Sequence, residues 1–230
     1  MAEPFLHETP PELLQSLTQR QIKLSGQHSR TFTLTLPVDI DPLLDHPSTH
    51  AAFESDEYLP YWANLWPSAQ MLAEAILLAD QLPPVAIEIG CGLGLSGLAA
   101  LSRGCQVTFS DYDATALQFA AQNARQNGFT QFEIVQMDWR HPPEGLQVPW
   151  ILAADVIYES RQVLPVVQLI NQILTPDGEC WLVDPERPYA RDFRAALTAA
   201  GLAFRTTAIS TATDKSRSVH GTLYTIIKAS

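Results

Sequence analysis

From Pro67 onward the apolar positions of the chain switch repeatedly between a helical and an extended period, and each switch marks an element. Ala69, Leu72, Ala73, Ile76 and Leu77 fall on one face of a 3.6-residue repeat behind Pro67, a residue that a first helical turn accommodates, so a helix is predicted there. Short apolar runs predict strands at 85–89, 105–110, near 132–136, at 149–154 and from Cys180 to Asp184. Between them one helix is expected from about residue 95. A second is capped by Asp113, carries Leu117, Ala120, Ala121 and Ala124 on one face, and stops at Asn127-Gly128. A third, strongly amphipathic, carries Val163, Val166, Val167, Ile170, Ile173 and Leu174 and ends in Thr175-Pro176-Asp177-Gly178. Phe193, Ala196, Leu197 and Ala200 give a last helix that stops at Gly201, before a pair of strands near 203–210 and 222–228. Alternation from Thr31 to Leu36 reads as an added hairpin or strand. Alternating strands and helices with a terminal strand pair imply an α/β fold, a mostly parallel sheet covered on both faces. Ligands of such sheets sit at the carboxyl ends of the strands.

One of those strand ends is chemically distinctive. The run Val85, Ile87, Ile89 stops at three alternating glycines, Gly90, Gly92 and Gly94, and the next apolar run ends in Asp111. Glycines let the backbone turn sharply and approach a ligand, and an acid about 20 residues on can accept from ribose hydroxyls. An adenosine-containing ligand is therefore expected; a glycine-rich turn without a ligand would not require Asp111 at that distance. Two registers fit. Gly92-Leu93-Gly94-Leu95-Ser96-Gly97 matches the G-x-G-x-x-G of dinucleotide sites, whereas Glu88-Ile89-Gly90-Cys91-Gly92-Leu93-Gly94 matches the E-x-G-x-G-x-G of class I methyltransferases that use S-adenosylmethionine. Gly90 already marks the strand end, two residues before a dinucleotide fingerprint should begin, which favours the second register.

Composition narrows the partners. With 230 residues, 46% hydrophobic and 17% charged, the chain fits one compact soluble domain behind an N-terminal extension. A formal charge of −11 and 14 scattered basic residues argue against a nucleic-acid binder. An acidic surface suits a basic partner such as a lysine-bearing protein, or simply solubility. Cys91, Cys105 and Cys180 lack metal spacing and read as buried reduced thiols of a cytoplasmic protein. No run approaches the ~20 apolar residues of a membrane span or resembles a signal peptide, and six scattered histidines give no metal site.

The expected strand ends collect Gly90, Asp111, Met137-Asp138-Trp139, Ala154-Asp155 and Asp184. Asp138 could accept from an adenine amine and Trp139 offers a flat stacking face, with a core aromatic as the alternative for Trp139. The whole pattern resembles the methyltransferase-16 group of class I, seven-strand methyltransferases, which includes many protein-lysine N-methyltransferases. The resemblance covers about residues 30 to 228. Its carriers are Trp62-Ala63-Asn64-Leu65-Trp66-Pro67, the loop Glu88 to Gly94, Ser110-Asp111, Met137-Asp138-Trp139 and Asp155-Val156-Ile157-Tyr158, the D-x-x-Y element of the group.

The resemblance implies a Rossmann-like seven-stranded sheet with a small N-terminal β extension, residues 1–60, in front of an S-adenosylmethionine-binding domain, residues 61–230. Trp66, Glu88, Gly90, Cys91, Gly92, Gly94, Asp111, Asp138, Trp139 and Ala154 would surround the cofactor, and Asp155 and Tyr158 would face the acceptor amine. Helix capping for Asp155 and ordinary packing for Tyr158 are the alternatives. The expected activity is N-methylation of a lysine side chain of a protein by a monomeric, cytoplasmic, metal-free enzyme; a small-molecule amine or heterocycle methyltransferase and an inactive cofactor-binding protein stay open. An N-P-P-Y or D-P-P-Y element is absent, so nucleic-acid bases are not expected as acceptors. Phe53 to Tyr58 and the Thr31 to Leu36 alternation are where members of the group differ and where acceptor choice is expected, but they carry no decodable motif; Asp184 to Tyr189 reads either as part of the acceptor rim or as a plain Pro-rich turn.

Overall fold

The computed structural model describes residues 8–9, 14, 16–212 and 218–229; the rest of the expected N-terminal extension, residues 1–7, 10–13 and 15, lies outside them. Strands β1 (Leu17–Leu24) and β2 (Arg30–Pro37) form an antiparallel hairpin, followed by the short α1 (Asp41–Leu44) and α2 (Pro47–Asp56). Alternation then sets in: α3 (Pro67–Leu78), β3 (Val85–Ile89), α4 (Leu95–Ser102), β4 (Gln106–Asp111), α5 (Ala114–Gln126), β5 (Glu133–Gln136), β6 (Val148–Ala154), α6 (Val163–Ile173), β7 (Leu174–Asp184), α7 (Ala190–Ala199), β8 (Leu202–Ala212) and β9 (Ser218–Lys228).

The seven strands from β3 onward lie in the order β5-β4-β3-β6-β7-β9-β8. All neighbours through β7 are parallel, and β9 pairs antiparallel with both β7 and β8. Period-two alternation covers both faces. In β6, Trp150 and Leu152 join the core formed with α3, α4 and α5, while Ile151 and Ala153 join the core formed with α6 and α7. The chain leaves β3 toward β4 and β5, then returns to β6 on the other side of β3. That reversal opens a crevice beyond the carboxyl ends of β3 and β6, where ligands of such sheets bind.

Two details differ from the sequence reading. Thr175-Pro176-Asp177-Gly178 does not stop a helix: α6 ends at Ile173, and the four residues lie within β7 as an irregularity, since Leu174 pairs with Val148 but Glu179 already with Trp150. A Cβ on Gly178 would stand 2.8 Å from the Pro149 carbonyl oxygen, so this glycine lets the irregular strand stay close to β6. The terminal strand pair is also longer than its apolar pattern, because residues 211–212 and 218–221 offer only Val219 as a large apolar side chain.

Candidate active site

The glycine loop is shaped by backbone conformations that side chains disfavour. Gly90, Gly92 and Gly94 have φ of 59°, 50° and 81°, left-handed values that favour glycine. Beneath the loop, the buried Glu88 carboxylate accepts from the Gly97 N–H at 2.9 Å in the first turn of α4. Burial pushes its carboxyl up to about 8, against the opposing hydrogen bonds of Gly97 and Ser96. Glu88 thus braces the loop from below. Gly97, which only the dinucleotide register includes, has a packing role: a Cβ there would meet Phe109 at 2.3 Å and Glu88 Oε2 at 2.8 Å.

Asp111, at the tip of β4, accepts from the Gly92 N–H at 2.9 Å and the Asp113 N–H at 3.1 Å. Burial raises its carboxyl to about 6, with those two N–H groups pulling the other way. Asp113 caps α5 through the Thr115 N–H at 2.7 Å, as the sequence suggests. Beyond β5, Asp138 is drawn inward by Arg140, whose Nε lies 2.9 Å from both of its oxygens. Burial pushes the Asp138 carboxyl up, but the Arg140 hydrogen bonds outweigh it and hold it below the usual range. Trp139 is half-buried beside Gly90, 3.6 Å from where a Cβ would stand.

These groups line one cleft of about 520 Å³ at the strand ends, a volume typical of small-molecule sites. All twelve residues expected at the site border it: Trp66, Glu88, Gly90, Cys91, Gly92, Gly94, Asp111, Asp138, Trp139, Ala154, Asp155 and Tyr158. Ala154 and Asp155 enter from the end of β6. Asp155 has φ 57°, and its N–H donates to the Val183 carbonyl at 3.0 Å. It caps no helix. Its carboxylate is gripped instead by Arg187, Nε to Oδ1 at 3.0 Å and Nη2 to Oδ2 at 3.1 Å. Tyr158 packs edge-on against Tyr61, with centroids 5.3 Å apart, and Tyr61 packs edge-on against Trp66 at 5.9 Å. Burial raises the Tyr158 hydroxyl to about 12, so it stays protonated.

The sequence reading singled out Phe53 to Tyr58 without a motif; the structure lays the end of that segment over the cleft. The end of α2 and the residues after it cross its rim and are fastened by polar contacts, among them the Tyr112 hydroxyl donating to Asp56 at 2.7 Å. Arg140 forks onto Asp56 at 2.7 and 2.9 Å, Arg161 reaches the Asp56 and Glu57 carbonyls at 3.1 and 2.7 Å, and the Tyr58 hydroxyl donates to Asp113. The Arg140 hydrogen bonds hold Asp56 near 2. In α2 only Thr49 and Ala52 are buried, so no apolar periodicity announces it.

A mostly parallel seven-stranded sheet, a left-handed glycine loop after its first strand and an acid at the tip of the next define a class I, S-adenosylmethionine-dependent methyltransferase fold. A solved ribosomal protein L11 methylase from Lactobacillus delbrueckii shares it, with a TM-score of 0.56 at 16% identity over 71% of this chain and 79% of that one. Within that class, residues 57–194 match the lysine methyltransferase family, methyltransferase-16, to which the chain belongs. It is 30% identical over 138 residues to a histone-arginine methyltransferase of Rattus norvegicus, covering 54% of this chain and 60% of that one. An electron transfer flavoprotein beta subunit lysine methyltransferase of Mus musculus is 26% identical over 136 residues, 56% of this chain and 52% of that one. The chain thus spans little more than half the length of these relatives.

Proposed function

We propose that the protein transfers a methyl group from S-adenosylmethionine to the side-chain nitrogen of a lysine in a protein substrate. The observation that carries this reading is that the Asp155 carboxylate and the edge-packed rings of Tyr61, Trp66 and Tyr158 line the same cleft. When bound, the cofactor supplies a methyl carbon on a sulfonium, so that a nitrogen lone pair forms the new bond as the carbon–sulfur pair stays on sulfur as a thioether. Little covalent help is needed, and the residues mainly position the reactants.

In this reading Asp111 accepts from the ribose hydroxyls, Asp138 and Trp139 frame the adenine, and the Gly90–Gly94 backbone lies along the methionine moiety. The aromatic rings contact the aliphatic stem and cation of the acceptor, and Asp155 orients the ammonium while its proton passes to solvent. The family match and a relative that acts on lysine support the acceptor. Three buried free cysteines suit a reducing cytoplasm. No helix among the described residues is long and apolar enough to cross a membrane.

The test is incubation with methyl-labelled S-adenosylmethionine and a cell extract. Label is expected in a protein band whose acid hydrolysate contains methyl-lysine. Asp155→Ala and Tyr158→Phe should abolish labelling while calorimetry still shows cofactor binding. Label confined to the small-molecule fraction would refute the protein acceptor, and tight cofactor binding without any transfer would refute the enzyme.

A further inference from the structure

Arg187 is the charged side chain at the acceptor end to which the methylation reading gives no task. It follows β7 in a turn where Glu186 has φ 62°, facing Asp155 at φ 57°. Non-glycine residues hold such values only where surrounding contacts enforce them. The contacts here are the fork of Arg187 on both oxygens of Asp155, at 3.0 and 3.1 Å, and its own N–H directed to both oxygens of Asp184, at 3.4 and 3.2 Å. The Asp155 side chain is 6% exposed and Asp184 is buried, whereas Arg187 keeps about a third of its surface.

Two consequences follow from this geometry. A carboxylate gripped by one guanidinium fork keeps lone pairs for a point donor but has no free edge for a second fork. An ammonium can therefore share Asp155, and an arginine side chain cannot take it bidentately. The cluster also contains two carboxyl groups and one guanidinium, so its charge is partly offset before an acceptor arrives. A bare carboxylate pair would bind an ammonium more tightly and hold its proton more firmly.

We infer that Arg187 is a specificity-determining and positioning residue of the acceptor pocket: its fork on Asp155 reserves the carboxylate for a primary amine over a guanidinium, and its charge lets the bound ammonium release its proton before attack. The proton goes to solvent, the freed lone pair forms the bond to the methyl carbon, and the bonding pair leaves with sulfur. The inference rests on the lysine reading above.

Its test uses the full chain, a peptide spanning the labelled lysine, and the same peptide with arginine in that place. Arg187→Met keeps the apolar stem without the charge, and Arg187→Lys keeps the charge without the fork. Arg187→Met is expected to lower kcat near neutral pH by about tenfold, the effect of raising the amine pKa by one unit. It should lower KM as well, and the deficit in kcat should shrink as the pH is raised. Arg187→Lys should restore most of the turnover, and wild-type protein should leave the arginine peptide unmodified. Unchanged kcat and KM in Arg187→Met would overturn the inference and leave lysine methylation standing. Equal, pH-independent losses in both variants would reduce Arg187 to a structural part. Arginine methylation by wild-type protein would overturn both the inference and the lysine reading.

Discussion

Glu88 shows how a residue that borders the cleft can serve the loop rather than face the ligand. Its place before Gly90 suggests contact with the cofactor, yet its carboxylate turns under the loop to the Gly97 N–H. Folded, the group keeps its proton to about pH 8; its ordinary value is 4.5. Between those limits the folded state binds the extra proton, so stability should fall as pH rises, by at most about 1.4 kcal/mol per pH unit. Thermal melting of Glu88→Gln, which stays neutral throughout, should lack that slope between about pH 6 and 8, above the range in which the raised Asp111 contributes the same sign; an equally steep fall there would place the titration elsewhere. Gly97→Ala should cost about 1–3 kcal/mol, because its new methyl meets the Phe109 ring and Glu88 together. Asp111→Ala should weaken S-adenosylhomocysteine binding by about 1–3 kcal/mol, and unchanged affinity in calorimetry would remove Asp111 from the ribose. The glycines of the loop were legible because their left-handed φ values favour glycine. The pairing of Arg187 with Asp155 was not, because the two are 32 residues apart and meet only through adjacent strands.

At the scale of elements, legibility followed burial. Helices α3, α5 and α6 bury wide apolar faces and were readable from their period. Helix α2 buries only Thr49 and Ala52, and β1 only Ile22 and Leu24, so neither had a pattern to read. What places the end of α2 is polar: Arg140 on Asp56, Arg161 on two backbone carbonyls, and Tyr58 on Asp113. Fastenings of this kind give way locally without unfolding a core. Arg161→Ala should therefore speed S-adenosylhomocysteine release in stopped-flow measurements and raise hydrogen exchange over residues 56–62. Global stability should change by less than about 1 kcal/mol, since the ion pairs of Arg161 are largely solvated. An unchanged release rate would show that the segment does not cover the ligand.

Across the whole molecule, the sequence separates the N-terminal hairpin from the sheet domain, but it carries no sign of how the two are joined. Phe32 and Leu34 of β2 are fully buried in the same core as α3, α4 and β4. The outer edge of β2 is satisfied by two asparagines, Asn123 within α5 and Asn127 capping its end. Asn123 accepts from the Thr35 N–H at 2.8 Å and donates to its carbonyl at 3.3 Å, while Asn127 does the same for Thr33 at 2.9 and 2.7 Å. Four residues of helix rise about 6 Å and two residues of strand about 6.6 Å, so one helix face can imitate a neighbouring strand. Asn123 donates as well to the Leu93 carbonyl at 3.1 Å, which ties the hairpin to the glycine loop itself. Asn123→Ala would strand buried backbone groups of Thr35 and Leu93, at about 1–3 kcal/mol for each left without a partner. The variant should melt at lower temperature and bind S-adenosylhomocysteine more weakly, although the substitution lies outside the cleft. Because hairpin and sheet share one core, unfolding should remain a single transition by circular dichroism and tryptophan fluorescence alike. Two separated transitions, or a loss of stability with cofactor affinity intact, would mean that the hairpin folds apart from the loop it touches.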